Sequence, residues 1–178
     1  MYRASTLLVA VLALAIPALQ AQEEEMVLTE TSVYFLPVTG RVTDGEKKLS
    51  GCLVKVYQGN ELVQEEQTDR AGRFDLELDL GPEYTLEFSG EGFLPKRVVV
   101  DTRTEIPVEK LVYGPLAMDV NLMIGSKYEG VDTDVLDFPF ALVRYDKQQH
   151  TFAPDRDYSM GMQRANGALL LMSARAGK

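Results

Sequence analysis

The fold of this chain is decided by the stretch Thr68-Asp69-Arg70-Ala71-Gly72-Arg73-Phe74, which runs directly into Asp75-Leu76-Glu77-Leu78-Asp79-Leu80. The first part carries the Asp and the Gly that are typical of a tight turn. The second part alternates charged and apolar residues, and successive side chains of a strand point to opposite faces. The stretch therefore predicts a β-strand that follows a tight turn and has one buried and one exposed face.

Similar patterns elsewhere in the chain predict a mainly β protein, a seven-stranded antiparallel β-sandwich. The predicted strands are residues 38–43, 52–57, 62–68, 73–80, 84–88, 93–100 and 116–124. The residues predicted to face the core are Val42, Val54, Val56, Phe74, Leu76, Leu78, Tyr84, Leu86, Phe88, Val98, Val100, Val120 and Leu122. The lone cysteine, Cys52, alternates with Val54 and Val56, so we expect it to be buried rather than reactive.

The N-terminus has the three parts of a secretory signal peptide. Arg3 precedes an apolar run from Leu7 to Ile16, and small residues lead to Ala21 before an acidic stretch. We therefore expect cleavage after Ala21, which would remove residues 1–21 on export, and residues 22–37 would form an N-terminal arm. The apolar run is shorter than the roughly 20 residues of a membrane-spanning helix. We do not expect an integral membrane protein.

The composition is typical of a soluble globular domain. The 178 residues are 46% hydrophobic and 25% charged, which argues against a disordered chain. The formal net charge is -9. Because nucleic acids are bound through basic patches that neutralise phosphates, we expect no nucleic-acid partner.

Several short segments occur together in a recognisable order. They are Gly40–Asp44, Leu49–Gly51, Val54–Val56, Thr68–Phe74, Tyr84–Leu86 and Gly92–Phe93. This order resembles that of the carboxypeptidase regulatory-like domain over residues 38–101. The resemblance implies a transthyretin-like sandwich, here residues 38–124, that acts as a spacer or a binding platform rather than as an active site. The later segments 101–107 and 138–146 resemble parts of small secreted proteins of Bacteroidota-type bacteria.

Residues 125–178 form a predicted C-terminal extension. Residues 138–145 are apolar on both faces, which predicts an extended segment that another element covers. A helix is predicted over residues 155–175, with Asp155 or Asp157 as its N-cap. Its apolar positions are Tyr158, Met162, Ala165, Leu169 and Met172. This helix either packs on the sandwich or on the extended segment, or it binds a partner.

The sequence offers few residues for chemistry, and we expect no catalytic, cofactor-binding or metal-binding site. The only histidine, His150, lies in a polar, turn-like setting, and neither Ser126 nor Ser159 has a nucleophile signature around it. Asp132, Asp134 and Asp137 form a local acidic cluster that could supply oxygen ligands to a cation. The glycine and the terminal glutamate of an EF-hand loop are not at their positions, so an exposed acidic loop is the default interpretation.

These observations favour a non-enzymatic exported module of the cell envelope, in the periplasm rather than on the cell surface. Its predicted role is structural or protein-binding, through a sheet edge or through the extension. The alternative is a module that binds carbohydrate or peptidoglycan through exposed aromatic residues, for which Tyr57, Tyr113 and Tyr128 are the candidates. A hydrolase is disfavoured because no catalytic constellation is evident.

Overall fold

The structure is a computed structural model, and it describes residues 34–176. The strands are β1 Phe35–Thr43, β2 Leu53–Gln58, β3 Glu61–Gln67, β4 Arg73–Asp79, β5 Glu83–Ser89, β6 Phe93–Leu94, β7 Lys96–Asp101, β8 Leu116–Asn121, β9 Met123–Ile124, β10 Ala141–Asp146 and β11 Thr151–Pro154. The helix α1 is Arg156–Ala176, and short 3₁₀ turns occur at Val108–Lys110, Gly125–Tyr128 and Asp134–Asp137. The predicted signal peptide, residues 1–21, lies outside the described residues.

The strands form three sheets. A six-stranded sheet has the order β11-β10-β7-β5-β2-β3, a small sheet has the order β4-β1-β8, and β6 pairs with β9. The prediction of a mainly β sandwich with a C-terminal helix is confirmed. Most pairs are antiparallel, but β1–β8 and β7–β10 are parallel. Alternation fixes which face of a strand is buried and says nothing about its direction relative to its neighbours.

The turn that precedes β4 has the predicted construction. The Asp69 carboxylate accepts hydrogen bonds from the N–H groups of Ala71 (2.7 Å) and Arg73 (2.8 Å). Gly72 has a φ of +72°, and a Cβ there would lie 2.6 Å from the carbonyl oxygen of Val42. The turn therefore needs glycine both for its conformation and for its contact with β1.

All the predicted core residues are buried, and each is at most 5% exposed. Cys52 is also buried, as predicted, and burial raises the pKa of its thiol. Phe74 packs against Phe88 with their ring centroids 5.2 Å apart. Further core residues are Leu36, Val38, Leu116, Ala141, Val143 and Phe152.

The bounds of several elements differ from the prediction. Residues 35–37, expected in the N-terminal arm, belong to β1. The predicted strand 93–100 is divided into β6 and β7 by Pro95, which has no N–H to donate. The predicted strand 116–124 is divided into β8 and β9 at Leu122. These differences leave the buried faces of the strands unchanged.

The C-terminal extension packs against the sandwich. β10 pairs with β7, and the β10–β11 hairpin enlarges the six-stranded sheet. The helix predicted over 155–175 is α1, and Asp155 is its cap because its carboxylate accepts the Tyr158 N–H at 3.1 Å. Leu169 of α1 is buried, and the Tyr158 hydroxyl donates to the carbonyl of Pro139. Within residues 34–176, no helix is both long enough and apolar enough to span a membrane.

Candidate functional site

The candidate site lies along β8, a terminal strand of the small sheet. The Leu122 N–H, directly after β8, donates to the Thr43 carbonyl of β1 at 2.8 Å. The backbone N–H and C=O groups of the even-numbered residues of β8 therefore point toward β1. Because backbone groups alternate along a strand, the N–H and C=O groups of Ala117 and Asp119 point the other way. Nothing in the described part of the chain pairs with this outer edge. β8 therefore presents free hydrogen-bonding groups.

Gly40 of β1 sets the position of β8. It lies in register with Met118, and a Cβ at this position would overlap the Met118 carbonyl oxygen and lie 2.8 Å from the Phe74 ring. Only glycine lets the backbone of β8 come this close to β1 at this point.

A groove of about 320 Å³ runs beside the free edge, and we call it the β8 groove. Its wall is β8, and its opposite side comes from β7, β10, the end of β11 and the first turns of α1. Its lining residues are Val98, Leu116, Ala117, Met118, Asp119, Val120, Phe140, Ala141, Val143, Pro154, Ser159 and Gln163. Val98, Val120 and Val143 are at most 2% exposed, so the base of the groove is the apolar interior of the sandwich.

Ser159, a lining residue of the β8 groove, carries an unpaired polar atom. Its N–H donates to the Asp155 carbonyl at 3.0 Å, as the first turn of α1 requires. Its Oγ is shielded from solvent and has no hydrogen-bond partner within the described residues. Buried hydroxyl groups are almost always paired.

Lys96 supports the groove at Phe140. Its Nζ lies 4.6 Å from the centroid of the Phe140 ring, in a cation–π arrangement. Burial lowers the pKa of the Lys96 ammonium, because the charged form is poorly solvated there. At the hairpin end, Arg144 and Asp155 approach to 3.9 Å. The Arg144–Asp155 pair lies outside the groove, which is apolar at its base and, among the described residues, has Asp119 as its one charged lining residue.

The residues considered for catalysis lie in different elements. His150 is exposed in the β10–β11 turn with a φ of +50°, and its side chain makes no hydrogen bond within the described residues. Ser126 is exposed in a 3₁₀ turn, whereas Ser159 lies in the β8 groove. From the sequence, Ser159 stands out only as a possible nucleophile. The sequence cannot show that its hydroxyl is buried without a hydrogen-bond partner, because that depends on how α1 packs.

The acidic cluster lies at the 3₁₀ turn before β10. The Asp134 N–H donates to the Asp132 carboxylate at 3.0 Å. Repulsion from Asp132, with a smaller contribution from Asp137, raises the pKa of Asp134. Among the residues that the structure describes, no group of three His, Cys, Asp or Glu side chains is arranged to hold a metal ion.

The aromatic residues proposed for carbohydrate binding do not form one exposed surface. Tyr128 is buried, because its 3₁₀ turn packs against α1, so its predicted exposure is wrong. Tyr113 is half-buried, and its hydroxyl donates to the carbonyl of Phe35 at 2.8 Å. A different pair, Tyr34 and Phe35, is 36% and 40% exposed. With Pro37, Tyr113, Gly114 and Pro115 they line a hollow of about 350 Å³, the aromatic hollow.

Comparison with known proteins finds structurally similar proteins but identifies no family for this chain. No protein-family model matches the chain, and no curated protein sequence matches it. Similar solved structures include a DUF3823 family protein from Parabacteroides merdae, with 17% identity, a TM-score of 0.38, and 52% of this chain and 47% of that chain covered. Another is 3-chlorocatechol 1,2-dioxygenase from Rhodococcus opacus, with 14% identity, a TM-score of 0.39, and 54% and 62% coverage of the two chains.

A third similar structure is the major pilin subunit BcpA of Bacillus cereus. Its identity is 20%, its TM-score is 0.38, and the match covers 50% of this chain and 29% of the pilin. In all three cases the match spans less than two thirds of the other protein. Similarity at this level carries no information about the function of this chain.

Proposed function

We propose that this protein is a non-enzymatic binding module of the cell envelope, which holds an extended segment of a partner protein against the free edge of β8. The observation that carries this proposal is the open edge of β8 beside an apolar groove that Ser159 helps to line. An added strand gains affinity from main-chain hydrogen bonds, and it gains specificity from pockets for alternate side chains.

The backbone of β8 determines how the segment binds. The outward N–H and C=O groups of Ala117 and Asp119 pair with the main chain of the partner. Because side chains alternate across a strand, every second side chain of the partner points into the β8 groove. Val98, Val120 and Val143 form the base of the groove, so apolar side chains of small or medium size fit there.

Charge favours a basic partner over a second copy of this chain. Asp119 is exposed on the outer face of β8 and forms no salt bridge within the described residues. If two copies paired their β8 strands in an antiparallel way around Asp119, two carboxylates would face each other, which is destabilising. A Lys or Arg on the outward face of the partner strand is instead attracted to Asp119.

The sequence supports the cellular setting of this module. The signal-peptide pattern of residues 1–21 favours export, and the resemblance to the carboxypeptidase regulatory-like domain favours a spacer or binding platform of the cell envelope. We place the module in the periplasm. In this proposal residues 38–124 form the platform. The extension from residue 125 completes it, because β10 and α1 supply the side of the groove opposite β8.

The experiment uses the mature chain and two synthetic peptides of the same composition. One peptide alternates Val with Lys and Thr, and the other groups the Val residues together. Binding is followed by NMR of the backbone amides. We expect the alternating peptide to bind at least tenfold more tightly and to shift the amide signals of Ala117 and Asp119.

Proline variants at two edges provide a matched control. In Ala117→Pro, β8 loses an outward N–H and keeps its bonds to β1, so peptide affinity falls at least tenfold. In Glu65→Pro, β3 loses an outward N–H at the far end of the large sheet, and peptide affinity is unchanged. The proposal is overturned if neither peptide binds at millimolar concentration, or if Ala117→Pro binds the alternating peptide as well as the unmodified chain does.

The aromatic hollow favours a second candidate function, the binding of peptidoglycan. Exposed aromatic rings offer apolar faces on which sugar rings can stack, and Tyr34 and Phe35 present such faces beside two prolines. The test is co-sedimentation with purified peptidoglycan sacculi. Retention that is lost in the double variant Tyr34→Ala and Phe35→Ala, and is kept in Ala117→Pro, supports this function. Absence of retention in the unmodified chain rejects it.

A further inference from the structure

Two arginines lie side by side on the outer face of the small sheet. Arg41, on the central strand β1, is in register with Arg73 of β4 on one side and with Asp119 of β8 on the other. The buried residues of β1 are Leu36, Val38 and Val42, so Arg41 belongs to the opposite, outward-facing set. The same row of the sheet therefore carries two guanidinium groups and one carboxylate.

The two guanidinium groups are not neutralised by direct ion pairs. Like charges on neighbouring strands repel each other. Neither Arg41 nor Arg73 forms a salt bridge within 4.0 Å inside the described part of the chain. The nearby Asp69 carboxylate accepts two backbone N–H groups, and the charges of Arg73 and Arg41 help to lower its pKa, but neither arginine lies within salt-bridge distance of it. The Arg41 Nε is shielded from solvent and has no hydrogen-bond partner among the residues described.

A hollow of about 510 Å³ lies between these groups, and we call it the arginine basin. Its charged lining consists of Arg41, Arg73, Glu66, Asp69, Asp75 and Asp119. Two cationic and four anionic side chains give the basin a net negative charge, which disfavours a dianion such as phosphate. A ligand that satisfies both kinds of group must carry a carboxylate for the arginines and a cationic group for the surrounding acids.

We propose that the arginine basin binds a zwitterionic amino acid or short peptide. The ligand carboxylate accepts hydrogen bonds from the guanidinium groups of Arg41 and Arg73, since a planar guanidinium matches the geometry of a carboxylate. The ligand ammonium lies toward Asp119, one strand away from Arg41. Neighbouring strands are about 4.8 Å apart, which suits the short separation of the two charges in such a ligand.

Calorimetry with four probes tests the ligand class. The probes are the dipeptide alanyl-alanine, its N-acetyl derivative with only the carboxylate, its amide with only the ammonium, and inorganic phosphate. We expect the dipeptide to bind at least tenfold more tightly than either derivative, and phosphate not to bind. Tighter binding of phosphate than of the dipeptide, or equal binding of the dipeptide and its amide, would overturn the proposal.

Variants assign the binding to the basin. Arg41→Gln is expected to lower dipeptide affinity at least tenfold, and Arg41→Lys is expected to lower it less, because lysine keeps the charge and loses the planar fork. Arg164→Gln removes an exposed arginine of α1 and leaves the affinity unchanged. Asp119→Asn is expected to lower the affinity for the dipeptide and to leave the affinity for the N-acetyl derivative unchanged.

Two further results show whether the dipeptide binds in the arginine basin or in the β8 groove. Ala117→Pro, which blocks strand addition, is expected to leave dipeptide binding intact. Unchanged dipeptide affinity in Arg41→Gln would show that the basin is not the site. Circular dichroism and the thermal midpoint of each variant show whether it is folded.

Discussion

β1 lies between two strands that both end the small sheet, and their free edges differ. β4 carries Asp75, Glu77 and Asp79 on its outward face, and the Asp75 N–H is directed at the Glu66 carboxylate at 3.4 Å. Charged residues and covering groups are common ways in which proteins protect sheet edges from pairing. β8 has a single acid, Asp119, and its edge opens onto an apolar groove. The difference indicates which edge is protected and which is available.

The two strands also reach β1 by different routes. β4 follows β3 through the Asp69 turn and pairs with β1 in an antiparallel way from Phe35 to Arg41. β8 follows β7 through a long connection and pairs with β1 in a parallel way. Local turn chemistry thus determines β4, whereas the position of β8 depends on long-range contacts such as the close approach at Gly40.

The largest expected loss of stability comes from a substitution in the core of β4. Leu76 is fully buried, and Leu76→Ala is expected to lower the free energy of unfolding by about 2–5 kcal/mol, through lost burial and a remaining cavity. Urea denaturation measures this change. Glu77→Ala, at the exposed neighbouring position, is expected to change stability by less than about 0.5 kcal/mol. An unchanged unfolding midpoint for Leu76→Ala would show that β4 faces the other way.

A smaller effect is expected where β8 meets β1. Gly40→Ala forces a Cβ into the backbone of Met118 and is expected to cost about 1–3 kcal/mol. Hydrogen exchange should become faster at the Val120 and Leu122 amides, which face β1. A Cβ added at Gly161 in α1 would have no neighbouring atom within 4 Å, so Gly161→Ala is expected to stabilise the protein slightly. Equal exchange at β8 in Gly40→Ala and the unmodified chain would contradict this account of Gly40.

The smallest expected effect is the pH dependence of the turn before β4. Hydrogen bonds from the Arg73 and Ala71 amides hold the pKa of Asp69 below its ordinary value. Because the folded pKa is lowered, this stabilisation is present above the unfolded value of about 3.9 and is lost as pH falls through the folded pKa. Denaturant midpoints measured from about pH 4 downward should fall less steeply in Asp69→Asn. Identical slopes in the two proteins would argue against this role of Asp69.

Much of the candidate site could not be predicted from the sequence. The alternation of residues 116–124 identified Val120 and Leu122 as core residues, but it could not show that β8 would end a sheet. Ser159 was visible as a residue of the predicted helix, whereas its unpaired Oγ depends on how α1 packs against the sandwich. Tyr128 was predicted to be exposed and is buried by the same helix.

The sequence by itself determined the local features of this protein. These are the strand faces, the Asp69–Gly72 turn, the identity of the residues that face the core, and a C-terminal helix that begins at Asp155 or Asp157, all of which follow from patterns among residues near one another in the chain. The structure selected Asp155 as the cap. Only the tertiary structure decided that β8 pairs in parallel with β1 and ends the sheet, and that the extension forms the opposite wall of the β8 groove. It likewise placed Arg41 beside Arg73. Periodicity specifies which side of a strand is buried, but long-range packing selects its neighbours.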